Sequence, residues 1–451
     1  MKKTKLIMIV LTMVLSLAVM GCSKSTQVSN DGAFPAGKMT LYAYGQPHFR
    51  QEYYDAFLER NRDIAPEVEV EIIQTEGEAD VRQKVMLSFT AGAYDDLPTA
   101  ISTNPVSMQA MAESGILKDI TEFLTPYSTK LVDGALEQVS FGNSYYGLPR
   151  SVRPNILFYN NEIFEEYNID PARMSTIEGW LDVGRELKEK SNGTVFLSYI
   201  DPGSRTWRYY GRRGVMPQAG AKIWDDEGNC IIDSDPGSRL AFNTIDTLYK
   251  EELVLKSAIM QPPLYDATRA NKIATYMIGA FWDEFLRKNL PDMEGKWRTL
   301  PSPMYENIGT RGAPVVMMEA LIETKNNIYA DLYLKYWEDF TFNNEARITW
   351  TKSMEKQNAP YPNPISLEML NDAFWQLPSS YYGEESFRQK EGEGLQNASV
   401  NLRVTSDDIE ADIIISNELE RYLSGDQNMD EAISNMAKNI KSRIGTTDPV
   451  Q

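Results

Sequence analysis

A chain of 451 residues with 42% apolar content is too long for one ordinary core, so two domains are expected. Its formal net charge of −19, from 64 acidic against 45 basic residues, argues against a nucleic-acid partner, because a phosphate backbone would be repelled. The one histidine, His48, excludes a histidine-based triad or a multi-histidine metal site, and two cysteines, one with an N-terminal role, leave no intramolecular disulfide.

Residues 1–21 open with Lys2, Lys3 and Lys5 and continue in an apolar run too short to span a bilayer, so they read as a signal peptide. Val19-Met20-Gly21-Cys22 resembles the bacterial lipobox, which implies acylation of the Cys22 thiol and attachment of the mature chain to a membrane. The alternative is a non-lipidated signal with an incidental cysteine. Residues 22–37 are rich in Ser, Asn and Gly without periodicity and read as a flexible tether.

From residue 38 onward strand and helix patterns alternate. Residues 39–44 read as a strand, and 49–60 as a helix with Tyr53, Tyr54, Phe57 and Leu58 on one face. Val68, Val70 and Ile72 mark a second strand, Val81, Val85 and Phe89 a second helix, 97–102 a third strand, and 108–111 a third helix closed by Gly115. Such alternation predicts a parallel sheet whose ligand crevice lies at the carboxyl ends of its strands. Tyr44 and His48, Gln74-Thr75-Glu76, and Ser102-Thr103-Asn104 fall there. Tyr44 is equally readable as a packed ring, Asn104 before Pro105 as a helix cap, and His48 as a surface residue.

The stretch 146–190 reads as a crossover between two units. Gly147 and Pro149 punctuate an exit, 156–159 form a short buried strand, and Asn160-Asn161 cap a helix starting near Glu162. Asp170-Pro171 ends that helix, and 177–187 restart one with Trp180, Leu181, Gly184 and Leu187 together. Beyond it, 194–213 reads as a strand followed by a loop carrying Trp207, Tyr209, Tyr210 and arginines 205, 208, 212 and 213. Aromatic faces stack on pyranose rings, and arginine donates planar pairs of hydrogen bonds to hydroxyls or carboxylates. The competing reading, that nearby Asp and Glu pair with the arginines, is taken for half of them; Arg150 and Arg153, at the crossover itself, are better placed for ligand. Further on, Asp226-Glu227-Gly228 reads as a hairpin turn, Ser234-Asp235-Pro236 as a helix start, Cys230 as a small buried hydrophobe, and Asn428 with Glu431 as a capping box before a final helix ending at Gly445.

Tyr146-Gly147-Leu148-Pro149, Tyr159-Asn160, Ile163-Phe164, Ile169-Asp170-Pro171 and Trp180 follow one another in the order and spacing of the carbohydrate-type extracellular solute-binding proteins of ABC importers, the maltose-binding-protein-like family, which the chain resembles. Gly279 and Trp282, within the run 274–303, fit a further pattern of that family. The resemblance covers most of 38–445 and is weakest over 357–407. It implies an α/β fold of two lobes, each a mostly parallel sheet flanked by helices, with a ligand cleft between them. The lobes are expected at 38–149 plus about 300–345, and at 150–299 plus about 346–445.

The resemblance implies that the glycine-to-tryptophan turn faces the cleft, making Trp282 a stacking candidate and Asp283 a hydroxyl acceptor. The alternative is a Trp282 that anchors a helix start in the core. The expected ligand-binding set is Tyr44, Asn104, Arg150, Arg153, Trp207, Tyr210, Trp282 and Asp283. The implied function is a lipid-anchored substrate-binding subunit that closes on a sugar or oligosaccharide and delivers it to ABC permease subunits in the membrane. It would act as a monomer without catalytic residues, metal or cofactor, and the arginines raise an acidic sugar as ligand. Two alternatives stay open: a lipid-anchored glycan-degrading enzyme using a carboxylate pair, and a binding protein for a non-sugar solute.

Overall fold

The computed structural model describes residues 33–45, 47–357, 359, 361–399 and 405–444. The expected signal peptide 1–21, Cys22, most of the tether 22–37, and the helix stop at Gly445 lie outside them, as does the His48 side chain.

In the first lobe strand and helix alternate as the periodicity predicts: β1 (Gly37–Ala43), α1 (Gln51–Arg60), β2 (Val68–Gln74), α2 (Glu78–Thr90), β3 (Ala100–Thr103) and α3 (Pro105–Glu113). β1 lies between β2 and β3, parallel to β2 from Gly37↔Val68 to Ala43↔Gln74 and parallel to β3 on its other edge. Parallel neighbours need a crossover on the sheet face, which α1 and α2 supply. The apolar stripe of α1, Tyr53, Tyr54, Phe57 and Leu58, is buried against that sheet's core.

β4 (Leu148–Arg153) carries the chain out of this lobe. Pro154 has no N–H to continue a ladder, and β5 (Asn155–Asn160) starts in a different sheet. The second lobe continues with α4 (Ile177–Lys190), β6 (Ser198–Ile200), a π-helix over Thr206–Val215, α5 (Pro236–Lys250), β7 (Val254–Lys256), β8 (Thr275–Gly279), α6 (Trp282–Asn289) and β9 (Trp297–Pro301). β6 and β7 pair in parallel, but β5 lies between β8 and β9 and is antiparallel to both. The expectation of a mostly parallel sheet here is corrected for a geometric reason. β5 brings the chain in from the crossover and β9 takes it back, so the two must run in opposite directions.

β10 (Val315–Leu321) re-enters the first sheet between β3 and β4, antiparallel to each, completing the order β2-β1-β3-β10-β4. α7 (Ala330–Phe342) and α8 (Asn344–Lys356) follow. Trp350 of α8 meets the rings of Tyr53 at 5.9 Å and Phe340 at 5.7 Å, and Trp350, Met354 and Ile365 all belong to the first core. The return to the second lobe, expected near residue 346, therefore falls after Ile365. These aromatic contacts hold α8 on the first lobe. Tyr381 and Tyr382 join the second core, as do α9 (Phe387–Leu395), α10 (Asp408–Ser424) and α11 (Met429–Arg443). Gly425, at φ +90°, ends α10 in the left-handed region, and Asn428 and Glu431 form the expected capping box at the start of α11. No helix among the described residues is long and apolar enough to cross a membrane.

Candidate functional site

A cleft of about 590 Å³ opens between the lobes. The starts of α2 and α3 form one wall, with Glu78, Arg82, Asn104 and Ser107. The π-helix and α10 form the other, with Trp207, Arg208, Arg212, Arg213 and Asp412, and crossover residues 313–316 line it between them.

The segment expected as a loop is wound as a π-helix, with Met216 N–H bonded to the Gly211 carbonyl five residues back. Residues five apart therefore share a face. Trp207 Nε1 and Arg212 Nη1 both donate to Asp412 Oδ1, at 2.6 and 2.8 Å. Arg208 and Arg213 both lie over the Tyr209 ring, at 6.0 and 5.8 Å from its centroid. Tyr210 and Val215 turn into the core. A Cβ on Gly211 would sit 2.4 Å from the Trp207 indole, so this packing requires glycine. Gly312 is similarly confined, between Asn155 and the Arg213 carbonyl, where the returning chain passes the π-helix.

Charge organises the walls. Arg208 Nη2 stands 3.1 Å from Glu78 Oε2, an ion pair that joins the two lobes. Arg212 is clamped by Asp408 at 2.9 Å and Asp412 at 2.8 Å. Burial pushes the Asp412 carboxyl up while Arg212 pulls it down. Burial lowers the Arg213 guanidinium, and the Arg208 cation lowers it further. The Tyr44 hydroxyl is pushed up to about 12 by burial and by Glu78, against Arg208, Arg213 and Arg150.

The expected ligand residues divide. Asn104 lines the cleft, and half-buried Tyr44 stands beside its charges with its hydroxyl 3.3 Å from the Thr103 carbonyl. Trp207 borders the cleft but is corrected to a core residue, 2% exposed with its ring stacked on Phe242 at 6.2 Å. Asn104 also caps α3, its Oδ1 accepting from Ser107 N–H at 2.8 Å. Arg150 is buried in the first lobe, its Nε 3.7 Å from Glu319. Arg153 is held by Glu391 at 2.6 Å and Glu284 at 3.0 Å, and Asp283 by both ends of Arg287, at 3.0 and 2.9 Å, and by the Tyr382 hydroxyl at 2.8 Å. Arg153 and Asp283 line a separate cavity of about 380 Å³, where burial raises Glu391 to about 7 despite Arg153.

Tyr210 and Trp282 are corrected to core residues. The Tyr210 hydroxyl bonds Ser198 Oγ at 2.6 Å, while Trp282 is fully buried against Tyr265 at 6.1 Å and Phe285 at 5.4 Å. The ring one position earlier, half-buried Phe281, meets Tyr209 at 5.7 Å. Trp282 Nε1 has no hydrogen-bond partner among the described residues, so Trp282→Phe is expected to lose only ring contacts. That is about 1–2 kcal/mol of stability, with ligand affinity unchanged. Denaturant unfolding beside a binding isotherm checks this; a tenfold loss of affinity at unchanged stability would return Trp282 to the site.

Sequence reasoning missed Glu78, Arg82 and Asp412. Glu78 and Arg82 begin the helix that follows the flagged strand end at Gln74-Thr75-Glu76, so that signal was available. Asp412 sits on a helix that only the folded chain brings to the cleft.

Two α/β lobes joined by crossing strands, with a polar cleft between them and an ion pair across it, define a two-lobed ligand-binding architecture. The chain belongs to the bacterial extracellular solute-binding protein family, whose model matches residues 47–320. It is 22% identical over 230 residues to an arabinooligosaccharide-binding protein of Halalkalibacterium halodurans, a match spanning 50% of each chain. It is 21% identical over 344 residues to the arabinooligosaccharide-binding protein of Bacillus subtilis, spanning 69% of this chain and 70% of that one. The fold is shared with the ABC transporter associated binding protein of B. animalis subsp. lactis in complex with β-1,6-galactobiose, with TM-score 0.72 and 15% identity, covering 92% of this chain and 99% of that one.

Proposed function

We propose that the protein is the substrate-binding subunit of an ABC importer, held at the membrane by a lipid on Cys22, and that it captures a sugar or oligosaccharide by closing its lobes. The observation that carries this reading is the cleft itself, whose walls belong to different lobes and are joined by the Glu78–Arg208 pair. The names of the two relatives and the galactobiose in the structural neighbour support a saccharide ligand.

In this reading Tyr44 and Asn104 supply hydroxyl partners from the first lobe, and the arginines of the π-helix face them from the second. Closure removes water from the ligand, so each hydroxyl left unpaired costs on the order of 1–3 kcal/mol, which makes the polar walls selective. A micromolar dissociation constant corresponds to about −8 kcal/mol, within reach of a few such contacts. The closed form is then presented to permease subunits, and the cleft binds without cleaving.

A thermal-shift screen of the full chain in detergent tests the reading, using neutral and acidic oligosaccharides, peptides and metal ions, with glycan mass checked afterwards. A saccharide at about a hundred times its dissociation constant should add roughly 2.7 kcal/mol, with the glycan intact. Cleaved glycan would make the protein an enzyme, and stabilisation by peptides or metals alone would remove the sugar assignment.

A further inference from the structure

The cleft arginines are not equally neutralised. Arg208 has Glu78, and Arg212 has Asp408 and Asp412. Arg213 and Arg82 have no carboxylate within ion-pair distance among the described residues. Among the described residues Arg82 donates only to Ser107 Oγ, at 3.1 Å, and Arg213 lies over the Tyr209 ring next to a second cation, Arg208. Arg205, Arg298, Arg311 and Arg347 also lack an ion pair among the described residues, but each donates to backbone carbonyls, whereas Arg82 and Arg213 line the half-buried cleft. A cation withdrawn from water beside another cation gains most from an anion brought in from outside.

Resting on the sugar-capture reading, we infer that the ligand is an acidic saccharide, a uronate or uronate-bearing oligosaccharide, whose carboxylate is received by Arg213 from one wall with Arg82 on the other. The guanidinium fork matches the two oxygens of a planar carboxylate, and such charge-assisted bonds are about twice as strong as neutral ones. Glu78 and Asp412 line the same cleft. They disfavour a doubly charged phosphate while remaining acceptors for sugar hydroxyls. A singly charged sugar acid fits this mixture.

Calorimetry on the full chain in detergent, with short oligogalacturonates and glucuronate-bearing oligosaccharides beside their carboxyl-reduced counterparts, decides the matter. An acidic oligomer should bind at least about tenfold tighter than its reduced counterpart, and more weakly as salt rises from about 20 to 300 mM. Arg213→Gln should lose about tenfold for the acidic ligand and nothing for a neutral one, and Arg213→Lys should recover part of it. Arg82→Gln is the second variant, and unliganded melting temperatures show that both remain folded. Equal or tighter binding of the reduced sugars overturns the acidic assignment and leaves sugar capture standing. Binding of no saccharide, charged or neutral, removes the sugar reading itself.

Discussion

Replacing Glu319 by alanine is expected to destabilise the first lobe by about 3–5 kcal/mol, because it leaves two buried guanidiniums without their carboxylate. Glu319 lies on β10 and is 1% exposed. It accepts from Arg50, stands 3.7 Å from Arg150 Nε, and takes the Tyr333 hydroxyl at 2.5 Å. Burial already lowers Arg150 to about 10, with the neighbouring Arg50 cation adding to the effect, so losing the shared anion strikes both cations together. Glu319→Gln keeps hydrogen-bonding capacity without the charge and should fall between wild type and alanine. Denaturant midpoints measure this, and an alanine variant within about 1 kcal/mol of wild type would mean that the cations find other partners or water.

Asp408→Ala is expected to cost about 3 kcal/mol or more and also to weaken ligand binding. The fully buried carboxylate takes Trp224 Nε1 at 2.8 Å, Arg212 Nη2 at 2.9 Å and the Thr405 N–H at 2.9 Å. Its loss orphans the indole N–H and leaves Arg212 to Asp412 alone, in the wall of the cleft. Asp408→Asn, which keeps an acceptor for Trp224, should restore part of the stability. Unfolding and binding measured on the same samples separate the two effects. Unchanged affinity in a destabilised Asp408→Ala would show that the position of Arg212 does not matter to the ligand.

Much of the architecture was readable from local pattern. The strand-helix alternation of the first lobe, the caps at Asn160 and Asp235, and the capping box of Asn428 with Glu431 each depend on residues a few positions apart. What could not be read depends on distant partners. Arg150 and Arg153 look alike in sequence, yet one is held by Glu319 and the other by Glu391 and Glu284, from segments far along the chain. The segment 206–215 reads as a loop in sequence although its buried Trp207, Tyr210, Gly211, Gly214 and Val215 recur at three- and four-residue steps, and the pairing of Trp207 with Arg212 appears only when Asp412 is in place. Trp282 is expected at the cleft because the resemblance weighs the tryptophan, while the side chain that meets Tyr209 belongs to the position before it.

The order β2-β1-β3-β10-β4 carries a consequence for how the protein comes into being. The strand seated between β3 and β4 is made only after the whole sheet of the second lobe, and α8, which seals Tyr53 and Phe340, later still. As the chain leaves the ribosome, its first third therefore lacks the strand that joins β3 to β4, and its core is incomplete. Strand order alone thus sets completion of the first core among the last steps of assembly, after most of the chain has been synthesised.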